Sequence, residues 1–148
     1  MKEKIKSNEF LVIENAIKSI LIENNFVLID MDITLGKDAL IVLYVFNEKK
    51  DIDSMAKLND KIYETLEKIN FLKDGFSLEI SSPGINRKIK FISEFEIFKE
   101  LELKIMLNND DMIVGKSEGI KDSKLVITND NETLLLDIDN IKKAALNG

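Results

Sequence analysis

From Ser7 onward the apolar positions Phe10, Ile13, Ile17, Ile20 and Leu21 recur at spacings of three and four, the period of one helix face. Ser7 is placed to cap that helix, and Glu9 puts an acid in the first turn, where the helix dipole favours one. The pattern ends near Asn24 and Asn25, and the period then drops to two. Ile29, Met31, Ile33 and Leu35 alternate with Asp30, Asp32 and Thr34, which predicts a half-buried strand with its aspartates on the wet face. Gly36-Lys37-Asp38 turns the chain into ALIVLYVF, Ala39 to Phe46, whose apolar character on both faces predicts a strand interior to its sheet. Met55, Leu58, Ile62, Leu66 and Ile69 restore the helical period behind a cap at Asp51 or Asp53, and Phe76, Leu78 and Ile80 alternate as a third strand. Strand, helix and strand at this length imply a crossover, with two helices on one face of a small three-stranded mixed sheet.

Past Pro83-Gly84 the texture changes. Phe91, Phe95 and Phe98 suggest a short helix with Ile92 and Ile97. Short β-prone runs follow, starting at Leu103, Met112, Lys124 and Thr133, with turns at NNDD, KDS and NDNE. Strands at this interval predict a small barrel or sandwich. The expected organisation is α+β with two domains: residues 1–82 an N-terminal α/β domain, 83–90 an interdomain linker, and 91–148 a small C-terminal β-barrel. A domain of about 60 residues buries only about 60% of its unfolded surface, so the second should be the less stable.

Composition removes whole classes of chemistry. With no cysteine there is neither a disulfide nor a thiolate site, and with no histidine the Ser-His and Cys-His systems and the usual zinc spheres are excluded. Absence of cysteine fits a reducing, cytoplasmic setting. Glu9 and Glu14 bracket FLVI, which argues against a signal peptide, and ALIVLYVF falls far short of the roughly 20 residues of a membrane span. Carboxylate or lysine chemistry, or binding, is what remains.

Charge then singles out one stretch. Residues 1–80 carry 11 lysines against 15 acids, and residues 93–148 carry 7 against 12. Residues 81–92 carry three cations and no acid. That island is SSPGINRKIK, with the only proline, Pro83, and the only arginine, Arg87. Pro83 fixes its own φ and biases Ser82 toward extended backbone, while Gly84 is free to adopt a positive φ, so a stiff corner is expected. Three residues on, the planar fork of Arg87 suits a carboxylate or a phosphate, either as an ion pair stapling two domains or as a partner contact.

LEISSPGINRKIK resembles the hallmark segment of the ribosome maturation factor RimP family, in which a strand runs into a Ser-Ser-Pro-Gly-Leu-Asp-Arg-Pro-Leu type of sequence. The order of elements before it, a glycine at Gly115 in the second barrel strand, and the closing DIDNIKKAAL are similar as well. Asn86 stands where that family commonly has aspartate, and Lys88 where it commonly has a second proline. The resemblance implies a non-enzymatic, cofactor-free, monomeric assembly factor whose C-terminal barrel is of the SH3 or Sm type. It implies binding to the immature small (30S) ribosomal subunit and help for an early basic ribosomal protein, number twelve, with ribosomal RNA contacts secondary. On this reading the motif residues Ser81, Ser82, Pro83, Gly84, Arg87 and Lys88 serve partner binding or the interdomain corner, and Lys142 and Lys143, on an expected final turn, are further partner-binding candidates.

Electrostatics weigh the alternatives. Three cations on phosphates give a log-log salt slope of only about −2.7, and the acidic flanks oppose even that, so a basic protein is the favoured partner. An autonomous RNA-binding barrel is the runner-up, but it lacks a basic stripe, and its phenylalanines sit at helical spacing, which points to a buried face. A carboxylate metal site at Asp30 and Asp32, or at Asp51 and Asp53, is a third reading. A strand's wet face and a helix cap are the favoured readings of those residues, and Asp110, Asp111 and Asp130 read as turn residues.

Overall fold

The computed structural model describes residues 3–47 and 52–148. They divide into two compact units, one spanning Lys6–Pro83, the other Gly84–Gly148 together with residues 3–5.

In the first unit, helix α1 (Asn8–Glu23) is capped by Ser7, whose Oγ accepts a hydrogen bond from the Phe10 N–H at 3.1 Å. Strand β1 (Val27–Thr34) runs antiparallel to β2 (Leu40–Phe46). β2 lies in the middle of the sheet and pairs in parallel with β3 (Ser77–Ser81), reached through helix α2 (Ile52–Leu66). The apolar face of α1 (Phe10, Ile13, Ile17, Leu21) and that of α2 (Leu58, Ile62, Leu66) share one core with Met31, Ile41, Leu43 and Val45. Each such side chain, fully buried, contributes about 1.5–3 kcal/mol.

Two details depart from the periodicity. The β1–β2 register shifts between Leu28 and Asp30, and Ile29, Asp30 and Met31 are all buried, so Asp30 is not on the wet face expected of it. Its Oδ1 accepts from the Met31 N–H at 2.8 Å. Asp32 is exposed and accepts from the Tyr44 hydroxyl at 2.9 Å. Helix α2 begins at Ile52, which places Asp53 within its first turn; the alternative cap, Asp51, lies outside the described residues.

The second unit opens with a short helix, α3 (Glu94–Ile97). It continues as β4 (Glu102–Leu107), β5 (Met112–Lys121), β6 (Lys124–Asn129), β7 (Glu132–Asp137) and β8 (Ile141–Leu146) in one antiparallel sheet of order β7-β6-β5-β4-β8. The β5–β6 hairpin turns on Asp122 and Ser123, both at positive φ (51° and 64°), as a two-residue turn between right-twisted strands demands. The closed barrel expected from the sequence is not what the hydrogen bonding describes, since β7 and β8 stand at opposite edges of the sheet.

Strand β8 was not expected at all. IKKAAL, read as a closing turn, has two lysines and two alanines, weak strand formers, and it is the long-range pairing with β4 that holds it extended. Phe95, Phe98, Leu103, Ile105, Leu125 and Ile127 are fully buried. Gly115, opposite Leu103, is required by close approach, because a Cβ there would lie 2.8 Å from the Thr128 carbonyl oxygen and 2.5 Å from Ile127 Cγ2.

Candidate functional site

The motif straddles the boundary between the two units. Ser81 is the last residue of β3, in register with Tyr44, and its Oγ donates to the Ser82 carbonyl at 3.1 Å. Ser82 and Gly84 are exposed and Pro83 is half-buried. Gly84 does not use the left-handed freedom expected of it: the glycines at positive φ are Gly36, Gly75 and Gly119. The chain turns instead through a hydrogen bond from the Arg87 N–H to the Gly84 carbonyl at 3.1 Å.

Beyond that turn the segment expected as a linker docks on the sheet of the second unit. The Leu146 N–H donates to the Arg87 carbonyl at 2.9 Å, and the Ile89 N–H donates to the Ala144 carbonyl at 2.8 Å, setting Lys88 opposite Ala145. Residues 87–89 thereby line the outer edge of β8, and the Ile89 side chain is buried. Two ladder bonds flank Lys88, whose own N–H takes part in neither.

The Arg87 side chain turns inward. Its Nε donates to Glu94 Oε1 at 2.9 Å, with the Arg87 side chain 10% exposed and that of Glu94 fully buried. The second oxygen, Glu94 Oε2, accepts from the backbone N–H groups of Lys90 and Phe91, each at 3.0 Å. A carboxylate at the start of α3 thus gathers one guanidinium and two amide donors, the arrangement that makes a buried charge tolerable. This ion pair belongs to the second unit alone. α3 is tied to β5 as well: Ser117 Oγ donates to the Phe95 carbonyl at 3.1 Å, and Glu96 Oε1 accepts from the Ile120 N–H at 2.6 Å.

The two lysines of the closing segment part company. They sit on β8, not on a terminal turn. Lys142 Nζ pairs with Asp110 Oδ1 at 2.8 Å, while Lys143 lies opposite Met106 and is exposed. Lys143 belongs to a groove of about 560 Å³ whose other cationic walls are Lys88, Lys90 and Lys104, with Met106, Met112, Ala144 and Ala145 contributing apolar surface. A larger groove of the same unit, about 840 Å³, has Glu3, Asp137 and Asp139 among its lining. Glu94 and Lys104 were missed from the sequence. Glu94 falls just past the acid-free window, and Lys104 is one polar position of an alternating strand, so only its neighbours across the sheet set it apart.

Phe95 and Phe98 are core residues and offer no stacking platform. Among the described residues no cluster of three or more carboxylates could hold a metal ion, and no helix is long and apolar enough to cross a membrane.

Residues 16–86 match the model of the RimP N-terminal domain. The chain is 43% identical over 108 residues to the ribosome maturation factor RimP of Borrelia turicatae, covering 72% of this chain and 71% of that one. It is 35% identical over 144 residues to that of Borreliella burgdorferi, covering 95% of each. The Borrelia hermsii protein of the same name is 42% identical over 106 residues, covering 72% of this chain and 71% of that one. With the Ser-Ser-Pro-Gly corner, the arginine behind it and relatives aligned over nearly its whole length, this chain belongs to the RimP family of ribosome maturation factors.

Proposed function

We infer that the protein acts in ribosome maturation: it binds the immature small ribosomal subunit and assists the incorporation of an early basic ribosomal protein, number twelve. The observation that carries this reading is the alignment over 95% of the chain to a protein named ribosome maturation factor. The acidic balance supports it, because a chain of net charge −6 attracts a basic polypeptide. The protein works as a monomer, by binding and not by catalysis. Its C-terminal unit is of the SH3 or Sm barrel type, a reading supported by five antiparallel strands with a short 3-10 turn, Ile138–Asn140, between the last two. Ser81, Ser82, Pro83 and Gly84 carry the chain from the first domain into the second, Arg87 anchors the start of the second through Glu94, and Lys88 and Lys143 meet the partner.

The test is co-sedimentation of the purified protein with small-subunit precursor particles and with mature subunits, alongside a pull-down of the basic ribosomal protein at moderate salt. Enrichment on precursors together with capture of the protein is the expected result. Absence of both sinks the reading.

A further inference from the structure

We propose that the lysine groove beside β8 is a binding site for the phosphate backbone of single-stranded RNA. The sequence leaves Arg87 open to an ion pair or a partner contact; the fold turns its fork inward onto Glu94, and the groove draws Lys104 and Lys143 from distant strands.

Strand register explains the convergence. Lys88 lies opposite Ala145, which lies opposite Lys104, making one cross-strand row; two residues along, Lys143, Met106 and Met112 make the next. Side chains two apart share a sheet face, so the two rows face the same groove. Two strand spacings put the first pair of lysines about 10 Å apart, and two residues put the rows about 7 Å apart. Cations spread over such a patch suit consecutive charges along a strand.

The groove's chemistry is one-sided. No carboxylate lines it, and among the described residues none of its four lysines is in an ion pair, whereas Lys116, Lys124 and Lys142 of the same unit each pair with an acid. Residues 84–148 carry 10 cations against 12 acids, so the groove is a segregation of charge within a domain that is close to neutral. Lysine acts as a point charge toward phosphate and requires no bidentate geometry, and with no aromatic in the lining the contacts fall on the backbone and are indifferent to sequence. The methionines and alanines give an apolar floor against which a ribose or a base edge can rest. This inference rests on the ribosome-maturation reading for its choice of RNA over an acidic peptide.

The experiment is a fluorescence anisotropy titration of the full chain with a labelled single-stranded RNA oligonucleotide across a salt series, with polyglutamate as competitor. Four phosphate contacts predict a log-log salt slope near about −2.8, at −0.7 per phosphate for a single strand. The double variant Lys104→Glu, Lys143→Glu should weaken binding roughly uniformly across sequences and flatten the slope by about 0.7 per lysine. The control Lys99→Glu, Lys121→Glu, at exposed positions outside the groove, makes the same change in net charge and should cost much less. Equal losses in the two variants, an unchanged slope, or polyglutamate displacing RNA at lower charge concentration than unlabelled RNA would each overturn the proposal. Particle co-sedimentation is read separately: its absence in the wild-type protein removes the functional reading, while the RNA titration decides the groove.

Discussion

Glu94 Oε1 receives the Arg87 Nε–H at 2.9 Å inside the second unit, seven residues away along the chain, while its other oxygen collects the backbone N–H groups of Lys90 and Phe91. The only arginine of the protein therefore folds the first residues of its own domain onto α3.

Breaking that pair from one side should be costly. Arg87→Ala leaves Glu94 buried with only two amide donors, and loss of one partner of a buried pair costs roughly 3–5 kcal/mol. Arg87→Lys should recover part of it, since an ammonium restores the charge without the fork. Replacing both residues with apolar ones of similar size, Arg87→Met with Glu94→Leu, should cost less than Arg87→Ala alone. Denaturant unfolding of the four proteins measures this, and a single-variant cost below about 1 kcal/mol, the range of exposed pairs, would refute a buried, structural role.

Proline substitution discriminates between adjacent positions. At position 88 the ladder needs no N–H, so Lys88→Pro leaves both flanking hydrogen bonds in place and should shift the thermal midpoint little. Ile89→Pro removes the donor to Ala144 and displaces a buried side chain, and should destabilise much more than Lys88→Pro. The two midpoints, compared by calorimetry, should differ widely; similar midpoints contradict the described pairing.

Gly115→Ala should destabilise by roughly 1–3 kcal/mol, because the added methyl meets the Thr128 backbone carbonyl as well as the Ile127 side chain. Gly84→Ala should be close to neutral, because a Cβ there meets nothing within 4 Å and the backbone is not at positive φ. Chemical denaturation of both variants tests the contrast.

The exposed pair of Glu100 and Lys116, 2.7 Å apart, has a small pH signature of fixed sign. The Lys116 hydrogen bond and charge hold the Glu100 carboxyl below its ordinary range, and Glu100 in turn raises Lys116. A lowered carboxylate stabilises the fold above its unfolded pKa, and that contribution disappears as pH falls through the lower, folded value. Being exposed, it is screened by salt. Glu100→Gln should accordingly flatten the acid limb of the stability curve slightly at low salt and leave it unchanged at high salt, as read by unfolding titrations across the acid range.

Local physics settled much of this molecule in advance. Period and capping chemistry placed α1, β2, α2 and β3 and predicted the mixed sheet, because one buried face per element writes itself into the chain every 3.6 or two residues. Composition excluded histidine and cysteine chemistry, and the rarity of proline and arginine pointed to the segment 81–88. What the chain could not announce were relationships between residues far apart in it. β8 lacks strand propensity and exists through β4; Asp30 is buried where a shift in register overrides alternation; Arg87 finds its carboxylate just outside the window of charge that drew attention to it. The lysine groove is the clearest instance, since the sequence singles out Lys88 and Lys143 in two separate segments and Lys104 not at all, and the three become one surface only when those segments are laid side by side. Pairing between strands depends on which partner buries the most and leaves the fewest polar groups unmet, and that is a property of the assembled chain.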